Sequence, residues 1–461
     1  MMMLSQAAKI VGGRLAGEDV QFYGVSSDSR KIQPGELFIA LRGLNFDGCE
    51  FTEIAAKAGA AASMVNAESF QCREQGAKDE APHSYLLVED TRYALGKLAA
   101  HWRKQFDIPL VAITGSNGKT TVKEMLAGIL REAAGRSDAV LATKGNLNND
   151  IGMPLTLLQL DAKHRYAVIE MGMNHPGEID YLTRIAEPDI ALITNVGDAH
   201  LEGVGSLEAV ANAKGEIFAG LKYRGTAVVN ADDVYAPLWR SIAGAHQLLE
   251  FGLDVHADVS GTWHPHDYGL QLDVTAPQGM FAVDLKVPGI HNARNALAAI
   301  TAASALNVSL ENITTGLEKF GGVPGRMQRK AALNGATLID DTYNANPASL
   351  RAAINVLKQA GGKRILVFGD MGELGGKAAD YHTGVGSEAR EAGIEKLYAL
   401  GALSINAANE FGVGARHFER IEDLQDALKK ELDAETTVLV KGSRFMRMER
   451  VVESCVPAKE K

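Results

Sequence analysis

Short apolar runs alternate with stretches of helical periodicity through the middle of the chain. The runs lie at residues 110–113, 139–143, 166–170 and 189–195. Each has a length that suits a strand buried on both faces, and the segments between them have room for helices. The alternation therefore predicts a parallel sheet that is covered by helices.

The hydrophobic period changes between residues 223 and 290. Apolar and polar positions alternate over residues 270–274 and again over residues 281–287. Strands that expose one face to water typically show this pattern, so we expect a small antiparallel pair. A helix should follow, with Asn292 as its N-cap and its end near Leu306.

A second alternating series follows Arg326. Its predicted strands lie at residues 337–341, 364–368, 396–400 and 437–440. Asn346 and Pro347 match the N-cap and the first position of a helix between the first two of these strands. We expect a second doubly wound, Rossmann-like domain without a phosphate loop of its own, and its glycines lack the spacing of a dinucleotide site.

The N-terminal region mixes short strands with helices. Strands are predicted at residues 36–42 and 85–89, and helices at residues 51–62 and 91–105. Changes of pattern divide the chain into predicted domains 1–95, 96–322 and 323–461. The predicted fold class is α/β: a mixed N-terminal domain, a central parallel-sheet domain with a small antiparallel addition, and a C-terminal Rossmann-like domain.

Composition narrows the classes of function. The chain has 461 residues, a hydrophobic content of 46% and a formal net charge of −10. This charge argues against bulk nucleic-acid binding and against an anionic membrane surface. No apolar run reaches the roughly 18 residues of a membrane span, and the N-terminus lacks a signal-peptide pattern. Three widely spaced cysteines suit a reducing compartment, so we expect a cytoplasmic protein.

Residues 111–122 combine a buried strand, a glycine loop and the start of a helix. Gly115 and Gly118 allow several backbone N–H groups to point at one anion at the helix N-terminus. Lys119 adds charge for the β- and γ-phosphates, and the Thr120 hydroxyl suits Mg²⁺. Ile113 stands where the general phosphate loop has its first glycine. A tight turn with a solvated lysine would also fit, but the flanking strand and helix favour a nucleoside triphosphate site in a P-loop ATPase domain.

Polar side chains follow the other strands of the predicted central sheet. They are Asn146, Asn148, Asn149, Glu170, Asp198 and His200. Because ligands bind beyond the carboxyl ends of parallel strands, we expect these residues to converge on the triphosphate, where they could hold Mg²⁺. A lone His200 would also suit the protein surface. Lys214, one helix further on, fits a solvated lysine on composition alone.

Together these motifs resemble the Mur ligases of peptidoglycan synthesis, and the resemblance runs nearly end to end. Residues 114–121 match the short phosphate loop of that family, which accounts for Ile113. Further matching motifs lie at residues 145–154, 170–178, 195–200, 340–347 and 368–374. The Asp-Asn-Pro-Arg motif of the diaminopimelate-adding branch does not occur, which favours the branch that adds D-alanyl-D-alanine.

The resemblance implies roles for individual residues. ATP would contact Gly115, Asn117, Gly118, Lys119, Thr120, Thr121, Asn295 at adenine, Arg326 at the phosphates and Asp341 at the ribose. Mg²⁺ would bind Thr120, Glu170, His200 and Lys214, with the lysine carried as a carbamate. The implied catalytic set is Lys119, Glu170, His200 and Lys214. Substrate contacts would come from Ser29, Arg30, Asn45 and Asp47 for the uridine nucleotide, and from Asn149 and Asn346. Further candidates for the dipeptide are Asn344, Lys441, Ser443 and Arg444.

The implied activity is ATP-dependent amide ligation in cell wall biogenesis. ATP would phosphorylate the terminal carboxylate of UDP-N-acetylmuramoyl-tripeptide, and the amine of D-alanyl-D-alanine would attack the acyl phosphate. Because two anions must approach each other, Lys119, Arg326 and Mg²⁺ would neutralise charge. We expect a monomer that closes its domains around the substrates, with no nucleic-acid partner and no membrane insertion.

Two alternatives remain open at the level of the sequence. A ligase of the folylpolyglutamate type would share the ATP half, and the choice between a UDP-muramoyl peptide and folate would separate the two. A phosphate-loop switch or transport ATPase would turn over ATP without any peptide product.

Overall fold

The computed structural model describes residues 1–43, 46–74, 83–197 and 206–457. Within them the chain forms three α/β regions in the predicted order. No helix in these ranges is both long and apolar enough to cross a membrane.

The N-terminal region is built on a five-stranded sheet of order β2-β7-β6-β5-β4, beside a β1–β3 pair. Its strands are β1 Met2–Met3, β2 Arg14–Ala16, β3 Gln21–Phe22, β4 Gly24–Ser26, β5 Glu36–Ile39, β6 Ala62–Asn66 and β7 Ser84–Val88. Its helices are α1 Leu4–Val11, α2 Thr52–Lys57, α3 Ala67–Glu74 and α4 Thr91–Arg103. The helix predicted over residues 51–62 is too long. It ends early because Gly59, at φ 100°, turns the chain into β6.

The central region contains a nine-stranded sheet of order β16-β15-β14-β13-β12-β11-β8-β10-β9. Its strands are β8 Leu110–Thr114, β9 Val140–Ala142, β10 Tyr166–Glu170, β11 Ile190–Ile193, β12 Thr226–Asn230, β13 Gln247–Gly252, β14 Val259–His266, β15 Gly269–Ala276 and β16 Gly279–Leu285. Pairing is parallel from β9 to β14, and β14, β15 and β16 pair antiparallel. Both the parallel sheet and the small antiparallel addition are therefore confirmed.

Helices cover both faces of this central sheet. They are α5 Lys119–Ala134, α6 Gly152–Leu157, α7 Glu178–Ala186, α8 Leu207–Gly215, α9 Ala236–Ala243, α10 Ile290–Ala305 and α11 Leu310–Glu318. The prediction that Asn292 caps α10 is wrong. Gly289, at φ 92°, occupies the N-cap, and Asn292 lies buried in the first turn, where its Nδ2 donates to the Pro288 carbonyl.

The C-terminal region is a six-stranded sheet of order β17-β18-β22-β19-β20-β21, parallel except for β17. Its strands are β17 Gln328–Ala331, β18 Thr337–Asp341, β19 Lys363–Gly369, β20 Lys396–Leu400, β21 Ala415–Phe418 and β22 Thr436–Lys441. Its helices are α12 Pro347–Lys358, α13 Ala378–Glu391, α14 Ile405–Phe411, α15 Ile421–Lys429 and α16 Glu449–Cys455. Asn346 caps α12 and Pro347 opens it, as predicted.

One apolar cluster crosses the first predicted domain boundary, whereas another lies within the N-terminal region, from Ile32 to Leu87. One cluster extends from Met2 through α1 and α4 to one face of the central sheet and ends at Ala243. Helix α4 is continuous through residue 96, beside which the first boundary is predicted. A second cluster fills the other face of the central sheet, and two further clusters fill the C-terminal region. The division at residues 95 and 96 remains a prediction.

Candidate active site

The phosphate loop lies where β8 ends and α5 begins. All five residues of β8 are buried, and the loop turns at Gly115, with φ 146°, and at Gly118, with φ 84°. A Cβ on Gly118 would come within 2.3 Å of Asn295 Oδ1, and one on Gly115 within 1.9 Å of Thr194 Oγ1. Both the backbone angles and the space therefore require glycine here, and Asn295 packs directly on the loop.

Lys119 is the first residue of α5 and folds over the loop. Its Nζ donates to the carbonyls of Gly115 at 2.6 Å and Ser116 at 3.4 Å. Burial lowers the pKa of Lys119, while the Glu170 carboxylate opposes that shift. The charge of Arg326 lowers this pKa further. A cation held over backbone N–H groups is suited to a phosphate.

Thr120 and Glu170 meet at the carboxyl edge of the sheet. The Thr120 hydroxyl donates to Glu170 Oε2 at 2.9 Å and accepts from Arg326 Nη2 at 3.0 Å. The other carboxylate oxygen of Glu170 accepts from Asn148 Nδ2 at 2.8 Å. Glu170 is only 2% exposed, so the site holds a buried carboxylate beside a hydroxyl.

This oxygen pair fits Mg²⁺, which prefers carboxylate and hydroxyl ligands in such sites. Within the described ranges, no three His, Cys, Asp or Glu side chains cluster as metal ligands. His200, the predicted imidazole ligand, lies outside the described residues.

Lys214 lies near the end of α8, 1% exposed. Burial places its pKa well below the usual lysine value, and the charge of Lys119 lowers it further. Glu216 opposes the shift but is itself engaged, because its carboxylate accepts from the N–H groups of Gly177 at 2.8 Å and Asp180 at 3.2 Å. Lys214 is therefore a buried amine whose charge is disfavoured by burial and by Lys119, and the prediction of a solvated lysine from composition is wrong.

A cavity of about 990 Å³ separates the phosphate loop from the C-terminal region. The central region lines it with the loop, Thr121, Glu170 and Asn295. The C-terminal region and the segment leading into it contribute Arg326, Asp341, Asn344, Asn346, Lys441, Ser443 and Arg444. The structure thus brings most of the predicted ATP residues and all the dipeptide candidates to one cleft between two sheets.

Asp341 ends β18 and is buried. Its carboxylate accepts from Lys441 Nζ at 2.5 Å and from the Met327 N–H at 3.1 Å. Burial raises the pKa of Asp341, although Lys441 opposes this. The two residues lie opposite each other in register on the adjacent parallel strands β18 and β22.

Two bonds cross the cleft at the phosphate loop. Asn346 Nδ2 donates to Asn117 Oδ1 at 2.8 Å, and Arg326 reaches Thr120 as described above. The Arg326 guanidinium also lies over the Tyr343 ring, 4.1 Å from its centroid. Its Nε is buried without a hydrogen-bond partner among the described residues, which suits it to receive an anion.

The remaining predicted substrate residues lie outside this cavity. Ser29 and Arg30 belong to the N-terminal region, where Arg30 binds Asp28 at 2.8 Å. Asp47 accepts from the Cys49 N–H at 2.9 Å and from Ser69 Oγ at 2.6 Å, and Asn45 lies outside the described residues. Asn149 accepts from the N–H groups of Ile151 and Gly152, so it stabilises the turn before α6.

Two residues without a predicted individual role, Thr194 and Asn195, hold the backbone of the phosphate loop. Asn195 Oδ1 accepts from the Asn117 N–H at 3.0 Å, and Thr194 Oγ1 donates to the Asn117 carbonyl at 2.7 Å. Both follow β11, so their position at a strand end was the available signal. Asn148, rather than the Asn149 selected from the same motif, contacts Glu170.

The geometry of the site identifies the class of protein. A glycine phosphate loop at a parallel sheet, facing a second α/β unit across a polar cleft, is the site of an enzyme that binds a nucleoside triphosphate between domains.

Three family models match the chain in order. They are Mur ligase family, catalytic domain, at residues 21–103; Mur ligase middle domain at residues 113–303; and Mur ligase, glutamate ligase domain, at residues 325–444. The chain belongs to the Mur ligase family, and as a member it is an ATP-dependent amide ligase.

Similar proteins agree with this assignment. UDP-N-acetylmuramoyl-tripeptide–D-alanyl-D-alanine ligase of Escherichia coli (strain K12) is 41% identical over 98% of this chain and 97% of its own length. The ligase of the same name from Bacillus subtilis (strain 168) is 34% identical, over 97% of each chain.

Solved structures give the same picture. MurF of Acinetobacter baumannii superposes with a TM-score of 0.88 at 35% identity, over 98% of this chain and 97% of that one. MurF of Thermotoga maritima in complex with ADP has a TM-score of 0.81 at 28% identity, over 94% and 96%. A folylpolyglutamate synthase of Mycobacterium tuberculosis shares the fold at 17% identity.

Proposed function

We propose that this enzyme joins D-alanyl-D-alanine to UDP-N-acetylmuramoyl-tripeptide at the expense of ATP, in peptidoglycan precursor synthesis. One observation carries the proposal: the chain matches ligases of that printed name along nearly its whole length. The phosphate loop and the cleft in front of it provide the ATP half of the reaction.

The chemistry needs positive charge where two anions meet. A carboxylate oxygen of the tripeptide attacks the γ-phosphorus, ADP leaves, and the dipeptide amine then displaces phosphate from the acyl phosphate. Lys119 Nζ contacts the Gly115 carbonyl in the loop and Arg326 contacts the Thr120 hydroxyl, so the two cations would hold the triphosphate and stabilise charge in the transition state.

We assign a magnesium site to Thr120 and Glu170, with His200 and Lys214 as further ligands. When bound, Mg²⁺ would neutralise phosphate charge at this edge of the sheet. Thr120 and Glu170 are held in place by Arg326 and Asn148, so the chain itself orients the oxygens.

The burial of Lys214 supports its carbamylation. A carbamate forms from the neutral amine, and burial beside Lys119 favours that form. Lys214→Ala should be nearly inactive, and a small carboxylic acid in the buffer should restore part of the activity. Normal turnover by Lys214→Ala would contradict the assignment, and intact mass measured under CO₂ would detect the modification directly.

We assign the two substrate-binding regions from the resemblance of their motifs to those of the family. Ser29, Arg30, Asn45 and Asp47 would take the uridine nucleotide, and the cleft residues beside Asn346 would take the dipeptide. Within the predicted domains 1–95, 96–322 and 323–461, each ligand would then be held mainly by one domain. A cytoplasmic monomer remains our expectation for the whole protein.

Phosphate release from ATP tests the function directly. The assay uses UDP-N-acetylmuramoyl-tripeptide with and without D-alanyl-D-alanine, and product is identified by mass. We expect release to depend on both substrates and to yield one amide product. Release that is independent of the dipeptide, or activity with folate in place of the UDP substrate, would reject the proposal.

A further inference from the structure

The Asn346 side chain contacts both the start of α12 and the phosphate loop. Its Oδ1 accepts from the Ser349 N–H at 2.8 Å, and its own N–H donates to Ser349 Oγ at 3.0 Å, which closes a capping box at the start of α12. Its Nδ2 donates to Asn117 Oδ1 in the phosphate loop at 2.8 Å. A single amide therefore completes a helix end in the C-terminal region and contacts the central region.

The partner residue Asn117 is fixed from the opposite side. Its N–H donates to Asn195 Oδ1, and its carbonyl accepts from Thr194 Oγ1 and Asn195 Nδ2. Asn117 lies between the turns at Gly115 and Gly118. The central sheet thus holds its backbone while the C-terminal region holds its side chain.

This arrangement makes the Asn346–Asn117 bond depend on two conditions. The C-terminal region must be docked on the cleft, and the phosphate loop must present the Asn117 amide in its present orientation. We propose that Asn346 is a positioning residue that couples docking of the C-terminal region to the nucleotide-binding conformation of the phosphate loop.

The inference rests on the proposed function only in taking ATP as the ligand. Because a coupling free energy is reciprocal, ATP should favour docking by the same factor by which docking favours ATP. A net hydrogen bond of about 1 kcal/mol corresponds to roughly a fivefold effect on either equilibrium.

Two substitutions separate coupling from helix capping. Asn346→Ser keeps a good N-cap oxygen, adds no charge and removes the amide donor. Ser349→Ala removes part of the capping box but leaves the Asn346 amide in place. Asn346→Ala removes both functions and gives the combined effect.

The experiment measures ATP affinity by calorimetry and trypsin cleavage of the linker between α11 and β17, with and without ATP. Cleavage is scored after Lys319, whose side chain is 64% exposed, because Arg326 is itself a proposed phosphate contact. We expect Asn346→Ser to bind ATP about fivefold more weakly and to lose most of the protection that ATP gives the linker, at an unchanged Tm. Ser349→Ala should lower the Tm and keep wild-type affinity and protection.

The coupling is rejected if Asn346→Ser binds ATP like the wild type, or if Ser349→Ala reproduces the whole loss. Neither readout needs a peptide product. A wild-type enzyme that binds ATP but forms no amide would therefore reject the ligase function and leave the comparison of the two variants valid.

Discussion

The N-terminal region shares an apolar core with the central region, whereas the C-terminal region meets it across a polar cleft. One continuous cluster runs from Met2 to Ala243 and includes the buried face of α4. Arg103, at the end of α4, is buried and donates to the carbonyls of Phe106, Ile108 and Ala186. Continuous apolar burial of this kind binds two regions into one folding unit.

The described residues of the C-terminal and central regions meet mainly through polar groups. The described bonds include Asn346 to Asn117, Arg326 to Thr120 and Tyr268 to the Met327 carbonyl. The two C-terminal clusters contain, before residue 327 and among the described residues, only Tyr268. A contact of this type can open and close, which is what a cleft enzyme with three ligands requires. The proposed ATP site lies at the cleft with the C-terminal region, and the N-terminal region contributes to the core behind the central sheet.

The largest test compares two leucines that are both fully buried. Leu98→Ala in the shared core and Leu397→Ala in the C-terminal core should each lower the free energy of unfolding by about 2–5 kcal/mol. All three tryptophans, Trp102, Trp239 and Trp263, precede the C-terminal region. Tryptophan fluorescence in urea should therefore shift for Leu98→Ala only, while circular dichroism shifts for both. Equal fluorescence shifts would mean that the whole chain unfolds as one unit.

The second prediction concerns the turnover of the enzyme and the phosphate-loop lysine. Lys119→Ala should leave folding intact and reduce kcat by about 10²–10³-fold, the scale for one lost transition-state contact. Lys104→Ala, which removes an exposed lysine paired with Glu187 at the fused interface, is the matched control. Near-normal turnover in a folded Lys119→Ala enzyme would remove the phosphate loop from the mechanism.

A smaller effect concerns the pH dependence of stability in the C-terminal region. Hydrogen bonds from Lys363 and Lys396 lower the pKa of Glu431 to about 2, from 4.5. This stabilisation is present above pH 4.5 and is lost as the pH falls toward 2. Glu431→Gln should lower C-terminal stability by about 1 kcal/mol at pH 7, since partial exposure screens the pair.

The measurement is urea unfolding followed by circular dichroism at pH 7 and pH 3. The difference between Glu431→Gln and the wild type should shrink at pH 3, with tryptophan fluorescence unaffected at both values. A difference that grows in acid would contradict the sign of the pKa shift.

The smallest effect concerns the hydroxyl of Tyr268. It donates to the Met327 carbonyl at 2.8 Å, so Tyr268→Phe should weaken docking by about 1 kcal/mol, or roughly fivefold. Trypsin cleavage of the linker should accelerate accordingly, whereas Tyr223→Phe, at a residue 94% exposed, should leave it unchanged. Identical cleavage rates for the two variants would show that this bond does not hold the cleft.

The sequence predicted those features of the fold that depend on residues close together in the chain. The glycine loop between β8 and α5, the alternating β15–β16 pair and the Asn346–Pro347 helix start were all predictable, because each depends on neighbouring residues. The Asn292 cap failed for a related reason. Gly289, at positive φ, occupies the N-cap three residues earlier, and the prediction had not considered it.

Contacts between residues far apart in the chain could not be predicted from local sequence patterns. Asp341 meets Lys441 only because β22 inserts beside β18, and strand order is not written in local periodicity. Asn346 and Asn117 are 229 residues apart, so their bond requires the docked arrangement of two regions. The choice between Asn148 and Asn149 depends on which side chain faces Glu170, and adjacent residues of one motif look alike until the turn is known.

The shared core also constrains how the chain is made. Helix α4 leaves the ribosome before α6 and α7, the central-region helices that pack on it, and α7 is complete only at Ala186. At about 5–20 residues per second, the apolar face of α4 is exposed for roughly 4–17 s after α4 is finished. During that interval the nascent chain exposes an apolar surface to solvent. Chaperone capture should therefore be most frequent on chains stalled between α4 and α7 and should fall once α7 has emerged.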